Sequence, residues 1–231
     1  MKTIAILGYG LEGKSLLAHL RKEKGTEITI LDRDRSLRIP IGVKKKLGNG
    51  YLKNLSEFDV VYRSPGIPYN LPEIQRSKNN ISSLTKLFFE EAEKKDAIIV
   101  GITGSVGKTT TATLIFKILK KAGKKVFLSG NIGVSALSSL KNFNDKTIVI
   151  MELSSFQLQD LRHSPKIAVV LDIYEEHLDK HKTFKEYLSA KSNIAKHQSR
   201  SDTLIYSSDN RYANAIAKTS PAKKIKVSIL E

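Results

Sequence analysis

The sequence predicts an α/β protein of two doubly wound units, a Rossmann-like unit over residues 1–94 and a P-loop-type unit over residues 95–231. Three observations predict it. Near-continuous apolar runs of strand length alternate with amphipathic stretches of helix length, the pattern of parallel strands covered on both faces. Two strand-to-helix junctions are rich in glycine, at Gly8–Gly13 and at Gly104–Thr109. After the polar stretch that ends at Lys94 and Lys95 the β, α alternation starts afresh, which sets the expected boundary.

The first unit opens with TIAIL (3–7), a short apolar β run, followed by glycines. LEGKSLLAHLRKE then carries apolar residues at helical spacing, and EITILD (27–32) is a second strand, which completes a βαβ opening. Residues 34–51, DRSLRIPIGVKKKLGNGY, read as irregular and basic, and FDVVYRS (58–64) reads as a third strand. The Pro and Gly residues of SPGIPYNLP (64–72) force a loop. SSLTKLFFEEAEKK (82–95) is an amphipathic helix with Ser and Thr at its start.

The second unit opens with the strand AIIVGIT (97–103), then the helix TTTATLIFKILKKAG (109–123) closed by Gly123, then the strand KVFLS (125–129). KTIVIMEL (146–153), KIAVVLDI (166–173) and TLIYS (203–207) are further buried strands. TFKEYLSAKSNIAKH (183–197) and RYANAIAK (211–218) are helices between and after them. KKIKVSILE (223–231) reads as a strand reached in mid-pattern, so the second unit is expected to be incomplete at its C-terminus.

The 231 residues, 40% of them apolar, contain no apolar stretch of the ~20 residues that a membrane span needs. The N-terminus enters a strand directly instead of a signal peptide. A cytoplasmic protein without a membrane partner is expected, and a monomer. The absence of cysteine excludes disulfides, thiolate metal sites and cysteine nucleophiles. The formal charge of +16 raises nucleic-acid binding, but the lysine pairs are scattered over helix ends and turns without interleaved aromatics. A solvated basic surface that attracts anionic nucleotides is the expectation, with no nucleic-acid partner.

Gly8, Gly10 and Gly13 form G-x-G-x-x-G between a strand and a helix, and Asp32 ends the next strand. In that context the glycines let the backbone approach a diphosphate at a helix N-terminus, while the carboxylate accepts ribose or base hydrogen bonds. The pattern does not separate a dinucleotide from any other ligand with a ribose and a diphosphate. Gly104-Ser105-Val106-Gly107-Lys108-Thr109-Thr110 has the strand before it and the helix after it that a phosphate loop requires, although Ile102 stands where the strict pattern has glycine. Backbone N–H groups of residues 104–109 would face phosphate oxygens, Lys108 would neutralise the terminal phosphates, and the Thr109 hydroxyl can ligate Mg²⁺. Glu152 ends an apolar strand at the carboxyl edge of the sheet, where a hard Mg²⁺ ligand is the sharp reading and a solvated acid the plain one. His177 follows a strand that reaches the same edge; His181 reads as a surface or capping histidine. By periodicity Lys191 is one lysine among many.

Taken in order, GITGSVGKTT, GNIG (130–133), MELSSFQL (151–158), LDIYEEHLDKH (171–181) and YLSAKSNIA (187–195) resemble the Mur ligases. GYGLEG, the acid of LDRDR and the SPGI loop extend the resemblance over nearly the whole chain. ELSSFQL and SPGI look most like members that join D-glutamate to UDP-N-acetylmuramoyl-L-alanine. The resemblance implies a Rossmann-like UDP-binding domain followed by an incomplete P-loop-type central ATPase domain. It also implies an ATP-dependent ligase of peptidoglycan synthesis that acts through an acyl phosphate. Lys108 would hold the ATP phosphates, Thr109 with Glu152 a first Mg²⁺, and His177 with Lys191 a second, the lysine as a carbamate formed with CO₂. Asn131 and Ser154 match positions near the muramoyl substrate, and Gly10, Leu11, Glu12, Asp32, Arg33 and Ser64 match positions lining the UDP pocket.

Three departures accompany the resemblance. Val106 replaces a polar loop residue, Asp172 stands where asparagine is frequent, and the chain ends before an SGxHNxxN segment and a third domain. A fragment with little turnover alone is therefore expected. Other readings are a ligase that adds a different amino acid or makes folylpolyglutamate, a non-catalytic binder of a UDP precursor, and a Rossmann dehydrogenase, which leaves the phosphate loop unexplained.

Overall fold

Strand β1 (Lys2–Leu7) lies at the middle of the first sheet, with Ile4, Ala5, Ile6 and Leu7 fully buried because both faces are covered. It is followed by α1 (Leu11–Leu20), β2 (Thr26–Asp32), β3 (Lys44–Leu47), β4 (Val60–Arg63), α2 (Pro72–Arg76), β5 (Ile81–Ser83) and α3 (Leu84–Glu93). The sheet order is β3-β2-β1-β4-β5, and its pairings are parallel. Leu16, Leu17 and Leu20 form the buried face of α1. Ala5, Leu7, Leu31, Leu55, Val61 and Ile74 make one core cluster, each large side chain stabilising the fold by about 1.5–3 kcal/mol. Because β1 is flanked by β2 on one side and β4 on the other, the chain reverses direction across the sheet there. The carboxyl ends of β1 and β4 therefore open the crevice in which such sheets bind ligands.

The second sheet is built from β6 (Ile98–Thr103), β7 (Val126–Ser129), β8 (Ile148–Glu152), β9 (Ile167–Val170), β10 (Thr203–Ser207) and β11 (Lys223–Val227). Its order is β11-β10-β9-β6-β8-β7, again with parallel pairings. Helices α4 (Lys108–Lys121), α5 (Ala136–Ser139), α6 (Ser155–Leu158), α7 (Phe184–Lys196) and α8 (Arg211–Thr219) connect the strands. Val100, Ile102, Ile150 and Val169 pack with Ala112, Ile115, Phe116 and Leu119 of α4. Thr183 and Asn210 cap α7 and α8, their side-chain oxygens accepting first-turn amides. Here β6 lies between β8 and β9, so the second crevice opens at the end of β6.

This computed structural model describes residues 1–130, 136–176 and 181–229. The chain divides into the units Met1–Phe88 and Phe89–Glu231, within α3 rather than at its end. Three local expectations are corrected. Residues 44–47 are not irregular but form the edge strand β3, whose three lysines hide the alternation while keeping an open edge charged. The proline-rich stretch gives way to α2 at Pro72, which occupies the first helical turn where its missing N–H does no harm. Residues 82 and 83 belong to β5, and Ser83 then accepts the Lys86 amide, so the cap signal was sound but overlapped a strand. Among the described residues, no helix is long and apolar enough to cross a membrane.

Candidate active site

The loop after β6 is shaped by two glycines. A Cβ on Gly104 would lie 2.7 Å from Leu171 Cβ, and Gly107 has φ +80°, a conformation L side chains rarely adopt. Gly107 is the N-cap of α4, so the amides of Lys108, Thr109 and Thr110 have no acceptor within the helix and carry the positive end of its dipole. Lys108 Nζ donates to the carbonyls of Gly104 (2.9 Å) and Ser105 (2.8 Å), which draws the cation over the loop. Val106 is exposed.

Ser105 does something other than grip phosphate. Its amide donates to the Asp172 carbonyl (2.8 Å), and its hydroxyl accepts the Tyr174 amide (2.8 Å) and lies 2.9 Å from Tyr187 Oη. The expectation that every amide from 104 to 109 faces a phosphate is therefore corrected: buried Ser105 anchors the loop, and the free donors lie after it. Asp172 is likewise engaged, accepting from Ser207 Oγ (2.6 Å) and Tyr174 Oη (3.2 Å).

Thr109 Oγ1 donates to Glu152 Oε2 at 2.8 Å, joining the start of α4 to the end of β8. Glu152 is buried, and Gly130 (φ +121°) passes so close that a Cβ there would lie 2.5 Å from the Glu152 carbonyl oxygen. The two side chains present hard oxygen donors of the kind a divalent cation such as Mg²⁺ takes. Lys191, 2% exposed on the inner face of α7, donates to the Gly104 carbonyl (2.8 Å) and lies 4.8 Å from the Tyr187 ring centroid. Burial pushes its ammonium down to about 7, the nearby Lys108 charge adds to this, and Glu176 opposes it. Burial pushes the Tyr187 phenol up to about 12, against the hydrogen bond from Ser105 and together with Glu176.

The structure thus brings Gly104, Lys108, Thr109, Glu152 and Lys191 to one sheet edge. Asn131 and His177 lie outside the described residues. Ser154 is the N-cap of α6: its hydroxyl accepts the Gln157 amide (3.3 Å), and the Gln157 side chain accepts from the Ser154 amide (3.0 Å). His181 is neither on the surface nor a cap. It is buried, stacked on Phe156 with ring centroids 5.0 Å apart and 3.0 Å from Ser155 Oγ.

In the first unit the glycine turn is held from three sides. A Cβ on Gly13 would lie 2.2 Å from the Gly8 carbonyl oxygen, so only glycine lets α1 approach β1 this closely. Ser64 Oγ donates to the Gly8 carbonyl (3.0 Å), and Asp32 Oδ2 accepts the Tyr9 amide (2.7 Å). Gly10 has open space around it, Leu11 and Arg33 are exposed, and Glu12 is half-buried in the first turn of α1.

Sequence reading missed Tyr187, Tyr174, Gly130 and Arg63. Tyr187 stands one helical turn before Lys191 and so on its face, a signal that was legible. Buried Arg63, which donates to the Ile67 carbonyl (2.6 Å) and sits 5.4 Å from the Tyr69 ring centroid, had none.

Comparison with known proteins adds to this geometry. Residues 102–230 match the family described as Mur ligase middle domain, and residues 2–84 match Mur ligase MurD-like, N-terminal domain. The UDP-N-acetylmuramoylalanine–D-glutamate ligase of Acetivibrio thermocellus is 40% identical over 220 residues, 90% of this chain and 46% of that protein. Its namesake from Clostridium kluyveri is 36% identical over 238 residues, 100% of this chain and 52% of that protein. The chain therefore spans about half the length of the curated relatives it matches. A solved UDP-N-acetylmuramate:L-alanyl-gamma-D-glutamyl-meso-diaminopimelate ligase from Neisseria meningitides aligns with TM-score 0.59 and 19% identity, over 98% of this chain and 78% of that one. The MurF ligase of Thermotoga maritima, solved in complex with ADP, gives 0.53 and 18% over 97% and 46%. At these identities the likeness of structures shows the fold.

Proposed function

The chain belongs to the Mur ligase family, and from that premise we propose that it forms the UDP-substrate and ATP-binding parts of a ligase joining D-glutamate to UDP-N-acetylmuramoyl-L-alanine. The reaction is an ATP-dependent amide-bond synthesis through an acyl phosphate. It belongs to cytoplasmic peptidoglycan precursor synthesis, on which cell shape and division depend. The observation that carries the reading is the meeting of Lys108, Thr109, Glu152 and the buried Lys191 at one crevice.

In this reading the α4 amides and Lys108 hold the ATP phosphates. Thr109 and Glu152 would hold a first magnesium, which would neutralise phosphate charge. Their oxygen donors and 2.8 Å separation suit such an ion. Lys191 suits the carbamate role, because only a neutral amine adds to CO₂ and releases a proton, and an amine titrating at about 7 is largely neutral just above that pH. Lys191, as a carbamate, and His177 would hold a second magnesium, which would supply further charge neutralisation. In the same reading the first unit would hold the UDP moiety at the glycine turn through Asp32, Arg33 and Ser64, and Asn131 and Ser154 would serve the muramoyl group.

A titration comparing UDP-N-acetylmuramoyl-L-alanine, a longer UDP-muramoyl-peptide and folate tests the reading. The first is expected to bind at least tenfold more tightly than the others, and preference for folate would overturn it. D-glutamate-dependent phosphate release from this chain alone is expected to be slight.

A further inference from the structure

Glu12 is an unusual neighbour for a phosphate site. It lies two residues beyond Gly10, the N-cap of α1, where the helix dipole and unpaired amides favour an anion. Its Oε2 is shielded from solvent and has no hydrogen-bond partner among the described residues. Arg63 is the charged group acting on it, and that guanidinium is committed to the Ile67 and Ser64 carbonyls and the Tyr69 ring. Arg63 ends β4 and is followed by Ser64, which holds Gly8 just after β1; α1 starts from that same turn, so Glu12 in its first turn stands at the carboxyl end of β1, where the β1–β4 crevice opens. A diphosphate diester entering there adds two negative charges next to a half-buried carboxylate with one oxygen shielded from solvent, and the reduced local dielectric strengthens that repulsion.

We propose that Glu12 couples diphosphate capture to the uptake of one proton, its protonated carboxyl donating a hydrogen bond to a phosphate oxygen. The proton joins Glu12 from solvent, and no covalent bond of the ligand changes. The inference rests on the reading of this unit as a UDP-ligand site. In the free protein burial already pushes the Glu12 carboxyl above its ordinary range, while Arg63 pulls it down. An anionic ligand pushes it further in the same direction as burial.

Calorimetric titration of this chain with UDP-N-acetylmuramoyl-L-alanine tests this between about pH 6 and 8, where the ligand's diphosphate and carboxylate stay ionised. Affinity of the wild type is expected to fall with pH, approaching tenfold per unit, and titrations in two buffers of different ionisation enthalpy are expected to show up to one proton taken up. Glu12→Gln is expected to bind at least tenfold more tightly than wild type at about pH 8, with an affinity that changes less than twofold over the range. Equal wild-type affinity at both ends of the range with no proton uptake would overturn the inference while leaving the UDP reading intact. So would a variant that keeps the wild-type slope, or affinity restored at the higher pH by magnesium without proton uptake. Absence of binding at every pH would overturn the UDP reading and this inference with it.

Discussion

Replacing Lys191 with methionine keeps an unbranched side chain one atom shorter and removes a charge that burial resists. In the folded chain this ammonium titrates at about 7 against an ordinary 10.5, chiefly because α7 buries it, with Lys108 adding to the effect. The difference corresponds to about 5 kcal/mol of stability forgone when the group must be charged. Between about pH 7 and 10.5 the unfolded chain holds a proton that the folded chain has shed, so this contribution makes stability rise with pH across that window. Below about pH 7 both states are protonated and the penalty is complete. Integrating one site, the wild type is expected to gain about 2 kcal/mol relative to Lys191→Met between about pH 6 and 8.5. Urea unfolding of both proteins in CO₂-free buffer, followed by circular dichroism, measures the gain. Parallel stability curves would refute the reasoning, because they would mean that Lys191 is charged in the folded state throughout.

Three further outcomes are expected. Gly104→Ala drives a Cβ to 2.7 Å from Leu171 Cβ and 3.3 Å from the Asp172 carbonyl, so it is expected to shift the phosphate loop, destabilise the unit by about 1–3 kcal/mol and abolish ATP binding, read by thermal melting and calorimetry. Tyr187→Phe removes the hydroxyl shared with Ser105 and Glu176; a loss of about 0.5–1.5 kcal/mol on urea unfolding is expected, with weaker ATP binding because the loop anchor loosens. Asp32→Ala releases the Tyr9 amide and is expected to weaken the UDP ligand at least tenfold while leaving ATP affinity unchanged, since the two sites lie in separate units.

Much of this was legible because the physics is local. A run such as AIIVGIT followed by Gly104, Gly107 and Lys108 fixes strand, turn and helix within a dozen residues, and Gly8, Gly13 and Asp32 do the same for the first unit. What stayed hidden depends on residues far apart in the chain. Ser105 looked like a phosphate ligand until Tyr174 and Tyr187 were seen to claim its hydroxyl and Asp172 its amide. His181 looked like a surface residue because nothing nearby in sequence announces the Phe156 ring it stacks on. β3 was lost because an edge strand of lysines has no apolar alternation, only a partner in β2. Lys191 illustrates both sides: its order among motifs marked it through family resemblance, whereas its burial against Gly104 gives the physical reason for an altered amine.

The most direct test of the phosphate-loop account is a crystal structure of the chain grown with ADP and magnesium. The account predicts phosphate oxygens within hydrogen-bond reach of the Lys108–Thr110 amides and Lys108 Nζ, with the metal coordinated by Thr109 and Glu152. Nucleotide bound away from that crevice, or a metal that leaves Glu152 untouched, would contradict it.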